Sequence, residues 1–249
     1  MLRPAPRARR RVAGRIACSG SRSQNPRVPA ARSRLQRLLA RIEAPRAAIA
    51  TDPWHLILLE NVVYLADDDA RGRAFATLRA HTDLDAKTIA RCPDDVLLAA
   101  CREGRMPEQQ VRKLRECAAL FDEAGDPREL VRLPPAQARK ALRRFPGIGD
   151  PGADKLLLLA GAAPILAVDS NGLRVLLRLG YGQEAKSYAA SYRAAQRAAM
   201  AELPAIARAC IDAHRKLRRH GQLTCRRSAP HCTECVLRAD CPSAGTAGG

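Results

Sequence analysis

Four cysteines near the end of the chain constrain what it can fold into more than any other feature of the sequence. Cys225, Cys232, Cys235 and Cys241 follow the spacing C-x6-C-x2-C-x5-C. Four thiolates this close together can converge on one metal centre, and the Cys-x2-Cys pair is the short bite that zinc and iron–sulfur sites both use. Thiolate count alone fits either metal. The other five cysteines, Cys18, Cys92, Cys101, Cys117 and Cys210, are scattered and read as small buried hydrophobes. Nine cysteines in 249 residues are too sparse for a disulfide scaffold, and odd in number.

The charge is equally one-sided. There are 43 Lys+Arg against 25 Asp+Glu, a net charge of +18, and Arg supplies 37 of those cations. A polyanion is the expected partner. Aromatics are 3% of the chain, too few for a platform on which single-stranded nucleic acid stacks. No apolar run approaches the roughly 18 to 20 residues of a membrane span, so no membrane partner is expected. Residues 1–32 hold nine Arg and no acid; the first acid of the chain is Glu43. Such a segment buries too little apolar surface to offset its ordering entropy and is expected to be a disordered tail. It suits a nucleic-acid-binding arm or an organelle transit peptide. Without it the remainder still holds 34 cations against 25 acids.

Beyond the tail the pattern is helical throughout. An amphipathic helix is expected over 33–47, stopped near Pro45. Asp52-Pro53 then opens an apolar helix reaching about Ala66, with Asp as N-cap and Pro at the first position. Further helices are expected near 70–80, 84–90, 93–103, 107–124 and 135–145. No segment alternates with period two, so the fold class is all-α.

Phe145-Pro-Gly-Ile-Gly149 joins the basic helix carrying Arg143 and Arg144 to a new helix at Asp150-Pro151. Gly147 and Gly149 permit a sharp turn whose amides, with that of Ile148, point outward at a helix N-terminus. A phosphate oxygen suits such a turn, and contacts of this kind fix register on DNA without reading its sequence. Arg226 and Arg227 sit between the first two clustered cysteines, just after Arg215, Lys216, Arg218 and Arg219. A metal cluster that pins this loop would preorganise a second phosphate-binding surface.

Taken in order, the hairpin, Ala167-Val-Asp169, Arg174-Val175 and the four cysteines resemble the helix-hairpin-helix DNA glycosylases of base-excision repair, in their iron–sulfur, endonuclease III-like branch. The resemblance covers about residues 33–241. It implies two helical domains with a DNA-binding cleft between them: a six-helix barrel over 50–160, and a domain joining 33–49 to 161–241 around a 4Fe–4S cluster, with 242–249 a short tail. The partner it implies is duplex DNA bearing a lesion or mismatch, bound by a monomer. It also implies a cytoplasmic, nucleoid-associated protein, or one of the nucleus or an organelle in a eukaryote.

The same resemblance assigns chemistry residue by residue. Asp169 matches the aspartate that stabilises positive charge developing on the deoxyribose as the N-glycosidic bond breaks; it also stands where an N-cap belongs. Glu60, between Leu56 and Tyr64 on one helix face, matches a glutamate of adenine and thymine-mismatch glycosylases. Its apolar surroundings predict a raised pKa suited to protonating the departing base. Val168-Asp-Ser-Asn-Gly-Leu-Arg174 resembles their Asp-x-Asn-x-x-Arg pattern. Ending just after Cys241, the chain carries no counterpart of the oxoguanine-reading domain of typical adenine glycosylases, so strict adenine-opposite-oxoguanine activity is the less expected. Bifunctional members place a nucleophilic lysine where this chain has Pro151, which has no amine. Lys155 comes four residues later, about 6 Å along the axis. The expected activity is therefore that of a monofunctional glycosylase. A bifunctional glycosylase/AP lyase and a non-catalytic iron–sulfur DNA-binding protein are the alternatives.

Overall fold

The computed structural model describes residues 31–45 and 50–245. All but the last two residues of the Arg-rich segment, and the last four of the chain, lie outside them. The described residues are helical, with no β-strand among them. In chain order the helices are α1 (Arg34–Arg41), α2 (Pro53–Asn61), α3 (Asp68–Thr82), α4 (Ala86–Arg91), α5 (Asp94–Cys101), α6 (Pro107–Ala124), α7 (Pro127–Leu130), α8 (Pro135–Leu142), α9 (Asp150–Leu159), α10 (Ser170–Arg178), α11 (Tyr188–Met200) and α12 (Ala207–Leu223).

Local chemistry sets the starts of these helices. Asp52, Asp67, Asp85, Asp126 and Asp169 each turn a side-chain oxygen onto a first-turn amide, and Ser33 forms a reciprocal capping box with Gln36. Proline occupies the first turn of α2, α6, α7, α8 and α9, where its missing N–H has no partner to lose. Two helices end well short of the expected bounds, and α8 stops at Leu142, so that Arg143 and Arg144 follow it. In α1 the chain turns extended at Ile42, which buries that side chain beside Leu35, Leu38 and Leu39. In α2 the helix stops at Asn61, ahead of two buried β-branched residues, Val62 and Val63, and of Leu65 at φ +52°. Side chains reinforce this end: Arg71 donates to the Leu59 carbonyl at 2.9 Å, and Asn61 Nδ2 to Ile57 O at 2.9 Å.

The described residues from Arg32 onward pack as one compact unit around two main clusters of buried side chains. The larger gathers α2 to α9, with Trp54, Ile57, Leu97, Leu114, Leu142 and Phe145 at its centre. The second brings Leu35 and Leu38 of α1 against Leu173 and Leu176 of α10, Tyr192 of α11 and Leu217 of α12. Each such side chain contributes about 1.5 to 3 kcal/mol by leaving water. The first helix is thus held by the last ones.

Asp154 of α9 pins the two clusters together. It is buried, yet both oxygens are fully used. Oδ1 accepts from Arg139 Nε (2.8 Å) and Nη2 (2.6 Å) on α8, and Oδ2 from Tyr192 Oη (2.9 Å) and Gln196 Nε2 (2.8 Å) on α11. A buried carboxylate is tolerated only with such complete partnering.

Candidate functional site

Asp169 closes the N-terminus of α10. Its Oδ1 accepts the Gly172 amide at 2.8 Å, so it caps the helix. Its Oδ2 faces the Asn171 amide at 3.4 Å and accepts from Arg218 Nε at 3.1 Å. The remaining two nitrogens of Arg218 straddle Asp68 in the first turn of α3, at 2.7 and 2.5 Å. Gln222 donates to the same carboxylate at 3.1 Å.

Glu60, near the end of α2, is ion-paired with Lys155 of α9; both side chains are partly buried. Burial pushes this carboxyl up, but Lys155, through its charge and hydrogen bond and helped by Arg71 and Arg218, outweighs it. The carboxyl lies below its ordinary value. The raised pKa expected from the apolar neighbours is therefore corrected: the counter-ion came from a helix 95 residues further along the chain. His214 of α12 is buried and hydrogen-bonds Ala167 O at 2.7 Å through Nδ1. Burial pulls its imidazole below the ordinary value, and Lys155, Asp169 and Arg218 all act on it electrostatically. Glu60 acts in turn on Arg218, and Asp169 on Tyr188. These groups, spread over α2, α9, α10, α11 and α12, occupy one electrostatic neighbourhood.

At the hairpin, Phe145 and Ile148 are buried while Gly147 and Gly149 are exposed. Ile148 therefore anchors the turn from inside, its N–H on Phe145 O at 3.2 Å, and its outward-pointing amide is not realised. Gly147 sits at φ +72°, open to glycine, and any Cβ there would meet Asn61 Oδ1 at 3.0 Å. Asn61 Nδ2 also donates to Pro146 O at 2.8 Å, tying the turn to the end of α2 beside Glu60. Arg143 is paired with Asp150 at 3.1 Å, and Arg193 of α11 reaches the same carboxylate at 3.2 Å. Arg144 is paired with Glu123 on the surface.

The four clustered cysteines line one cavity together with His220, Arg178 and Leu237. Burial pushes the Cys235 thiol up, and the other three thiols push it further, as sulfurs facing one space must. Arg178 Nη1 donates to Cys225 Sγ at 3.3 Å and to Arg226 O at 2.8 Å, so it braces the loop carrying the exposed Arg226 and Arg227. Arg174 donates to Cys225 O at 2.9 Å and to Asn171 Oδ1 at 2.9 Å. Among the described residues no group of three or more His, Cys, Asp or Glu is arranged to hold a single metal ion. The donor set, four thiols lining one cavity, is that of a thiolate-ligated metal centre. Of the basic residues before this loop, Arg218 holds Asp68 and Asp169, Lys216 pairs with Asp212 at 3.0 Å, and Arg215 donates to Pro45 O at 2.6 Å. Arg215, Lys216 and Arg218 are thus built into the protein, whereas Arg219 is exposed.

No protein-family model matches the chain. The endonuclease III of Treponema pallidum (strain Nichols) is 28% identical over 181 residues, covering 59% of this chain and 82% of that protein. A non-covalent endonuclease III–DNA complex matches with a TM-score of 0.65 at 21% identity, over 82% of this chain and 89% of its own. A thermostable thymine-DNA glycosylase matches with 0.64 at 19% identity, over 85% and 95%. In sequence and fold the chain resembles the endonuclease III-like helix-hairpin-helix DNA glycosylases.

Within this endonuclease III-like frame, sequence reading missed the roles of Arg218, Asp68, His214 and Lys155. Arg218 was visible only as one member of a basic run, and Asp68 as one of three consecutive acids. Lys155 carried a signal, being the lone cation of the apolar helix α9, and its spacing from Pro151 puts it on the same face one turn on.

Proposed function

We propose that this chain is a monofunctional DNA glycosylase that extrudes a damaged or mismatched base from duplex DNA and hydrolyses its N-glycosidic bond. The observation that carries this reading is the gathering of Asp169, Glu60 and Lys155, remote in sequence, into one charged site on an endonuclease III-like fold. Extrusion is needed because the bond is unreachable in the base stack. Tyr64, Leu65 and Met106 are exposed large hydrophobics on two turns joined by the Arg105 N–H to Tyr64 O bond (2.9 Å), close beyond Glu60. They supply apolar surface for holding the stack open.

In this mechanism the glycosidic bond breaks with its electron pair leaving on the base. Asp169, fixed at the N-terminus of α10, stabilises the positive charge left on the sugar. The Glu60–Lys155 pair meets the departing base, and the Lys155 ammonium offers N–H donors to the negative charge building there. Water then adds to the sugar carbon, and the proton it loses passes through solvent to the departed base, which left with the bond's electron pair. An amine engaged with Glu60 has no free lone pair for attack, and Pro151 has none at all, which favours water as the nucleophile. The exposed amides at Gly147 and Gly149, with Arg143 and Arg193 beside them, are assigned to the DNA backbone, as are Arg226 and Arg227.

Cys225, Cys232, Cys235 and Cys241, four thiols lining one cavity, would hold a 4Fe–4S cluster. When bound, the cluster cross-links the end of the chain and supports the basic loop. The reading is tested by incubating the protein with duplexes carrying a panel of lesions and mismatches, with and without alkali, and with borohydride. Base release, strands intact until alkali, and no trapped covalent complex are expected.

A further inference from the structure

Asp169 is not held by its own helix alone. The cap fixes Oδ1 on the Gly172 amide, and Asn171 Nδ2 of the same helix reaches Oδ2 only at 3.4 Å. Arg218 Nε holds Oδ2 more closely, at 3.1 Å. Both terminal nitrogens of that guanidinium are engaged by Asp68, so the direction of the Nε–H is fixed by a residue on a different helix. A planar fork can transmit orientation in this way; a lysine, donating from one point, cannot. Asp68 is itself steadied by Gln222 and by its place in the first turn of α3, where the helix dipole favours a carboxylate.

The clasp also joins the two halves of the fold. Asp68 belongs to α3, whose buried residues Ala74 and Leu78 lie in the larger cluster, whereas Asp169 and Arg218 belong to α10 and α12 in the second. Glu60 also acts on Arg218 electrostatically.

We infer that Arg218 is a positioning residue for Asp169, aimed by Asp68, so that the carboxylate serving the sugar is set jointly by both halves of the chain. This rests on the glycosylase reading above. A group that stabilises transition-state charge acts fully only when held within a fraction of an ångström, and the Asp68–Arg218 clasp supplies that restraint.

The test is a double-variant cycle on single-turnover base release, using the lesion duplex that the wild-type protein cleaves best. The variants are Arg218→Gln, Asp169→Asn and the pair, each with a melting temperature. Arg218→Gln should slow release by about 10-fold or more, yet by less than about 2-fold once Asp169→Asn is present, because nothing is then left to position. Arg218→Lys should restore the melting temperature more than the rate. Equal losses in both backgrounds, or a faster Arg218→Gln variant, would overturn the inference. Should Arg218→Gln not fold, Asp68→Asn replaces it in the same cycle with the same expectations, since it releases the clasp while leaving Arg218 and Asp169 in place. Failure of the wild-type protein to release any base overturns the glycosylase reading itself, whereas release with additive losses overturns only the positioning role.

Discussion

Lys155 lies one helical turn beyond Pro151 and closes an ion pair onto Glu60. The amine is thus held as the partner of a carboxylate. Lys155→Met should slow base release while leaving the strand uncut, and neither form should be trapped by borohydride. Efficient nicking by the wild-type protein that disappears in Lys155→Ala would establish lyase chemistry instead.

Asp169→Asn keeps the cap, since Asn serves that position about as well as Asp. It removes the charge, at a cost on the order of 3 to 4 kcal/mol of barrier, or roughly 100- to 1000-fold in rate. Single-turnover release and a thermal melt on the same preparation check both halves of this expectation: rate lost, melting temperature nearly kept.

His214 makes stability depend on pH near neutrality. Its folded imidazole is pulled below the ordinary 6.5 by burial, so between the two values the unfolded chain binds more protons than the folded one. Stability should therefore fall as pH drops through about 6.5. Urea denaturation at pH 7.5 and 5.5 should show this loss, and His214→Phe should shrink it. His55, shifted the same way by burial, adds to the loss.

Protein purified without oxidation should be yellow-brown, with broad absorbance near about 400 nm from thiolate-ligated iron. Colourless protein with stoichiometric zinc would contradict the cluster assignment. Cys232→Ser should reduce folded yield before it changes the chemistry.

Arg226 and Arg227 are exposed on a loop braced by Arg178. Their replacement by Ala should weaken binding to undamaged duplex and make its salt dependence shallower by about one unit per lost phosphate contact. A fluorescence anisotropy titration across salt concentrations reads this directly; an unchanged slope would place the loop away from DNA.

The helices were legible because their signals are local. Asp52-Pro53 and the hairpin around Gly147 announce themselves within a few residues, and α-periodicity does the rest. The four-cysteine spacing was legible for the same reason. What escaped was everything decided by a residue far along the chain. The apolar flanks of Glu60 say that a carboxylate is being desolvated, but not that Lys155 arrives from α9 to keep it charged. Arg218, inside a run of basic residues, looks like solvated surface until α3 brings Asp68 to it. Ile148 looks like part of an exposed turn until the larger core claims its side chain.

Asp154 carries a consequence for how the protein comes apart. Its four donors arrive from α8 on one side and α11 on the other, so neither cluster of buried side chains can open without stranding a carboxylate in an apolar interior. The halves are thereby denied separate melting. A calorimetric scan should give a single endotherm whose van't Hoff and measured enthalpies agree, and amides on α8 and α11 should exchange with solvent at a common slow rate. Asp154→Asn, by weakening the pin without removing its shape, should split that endotherm in two.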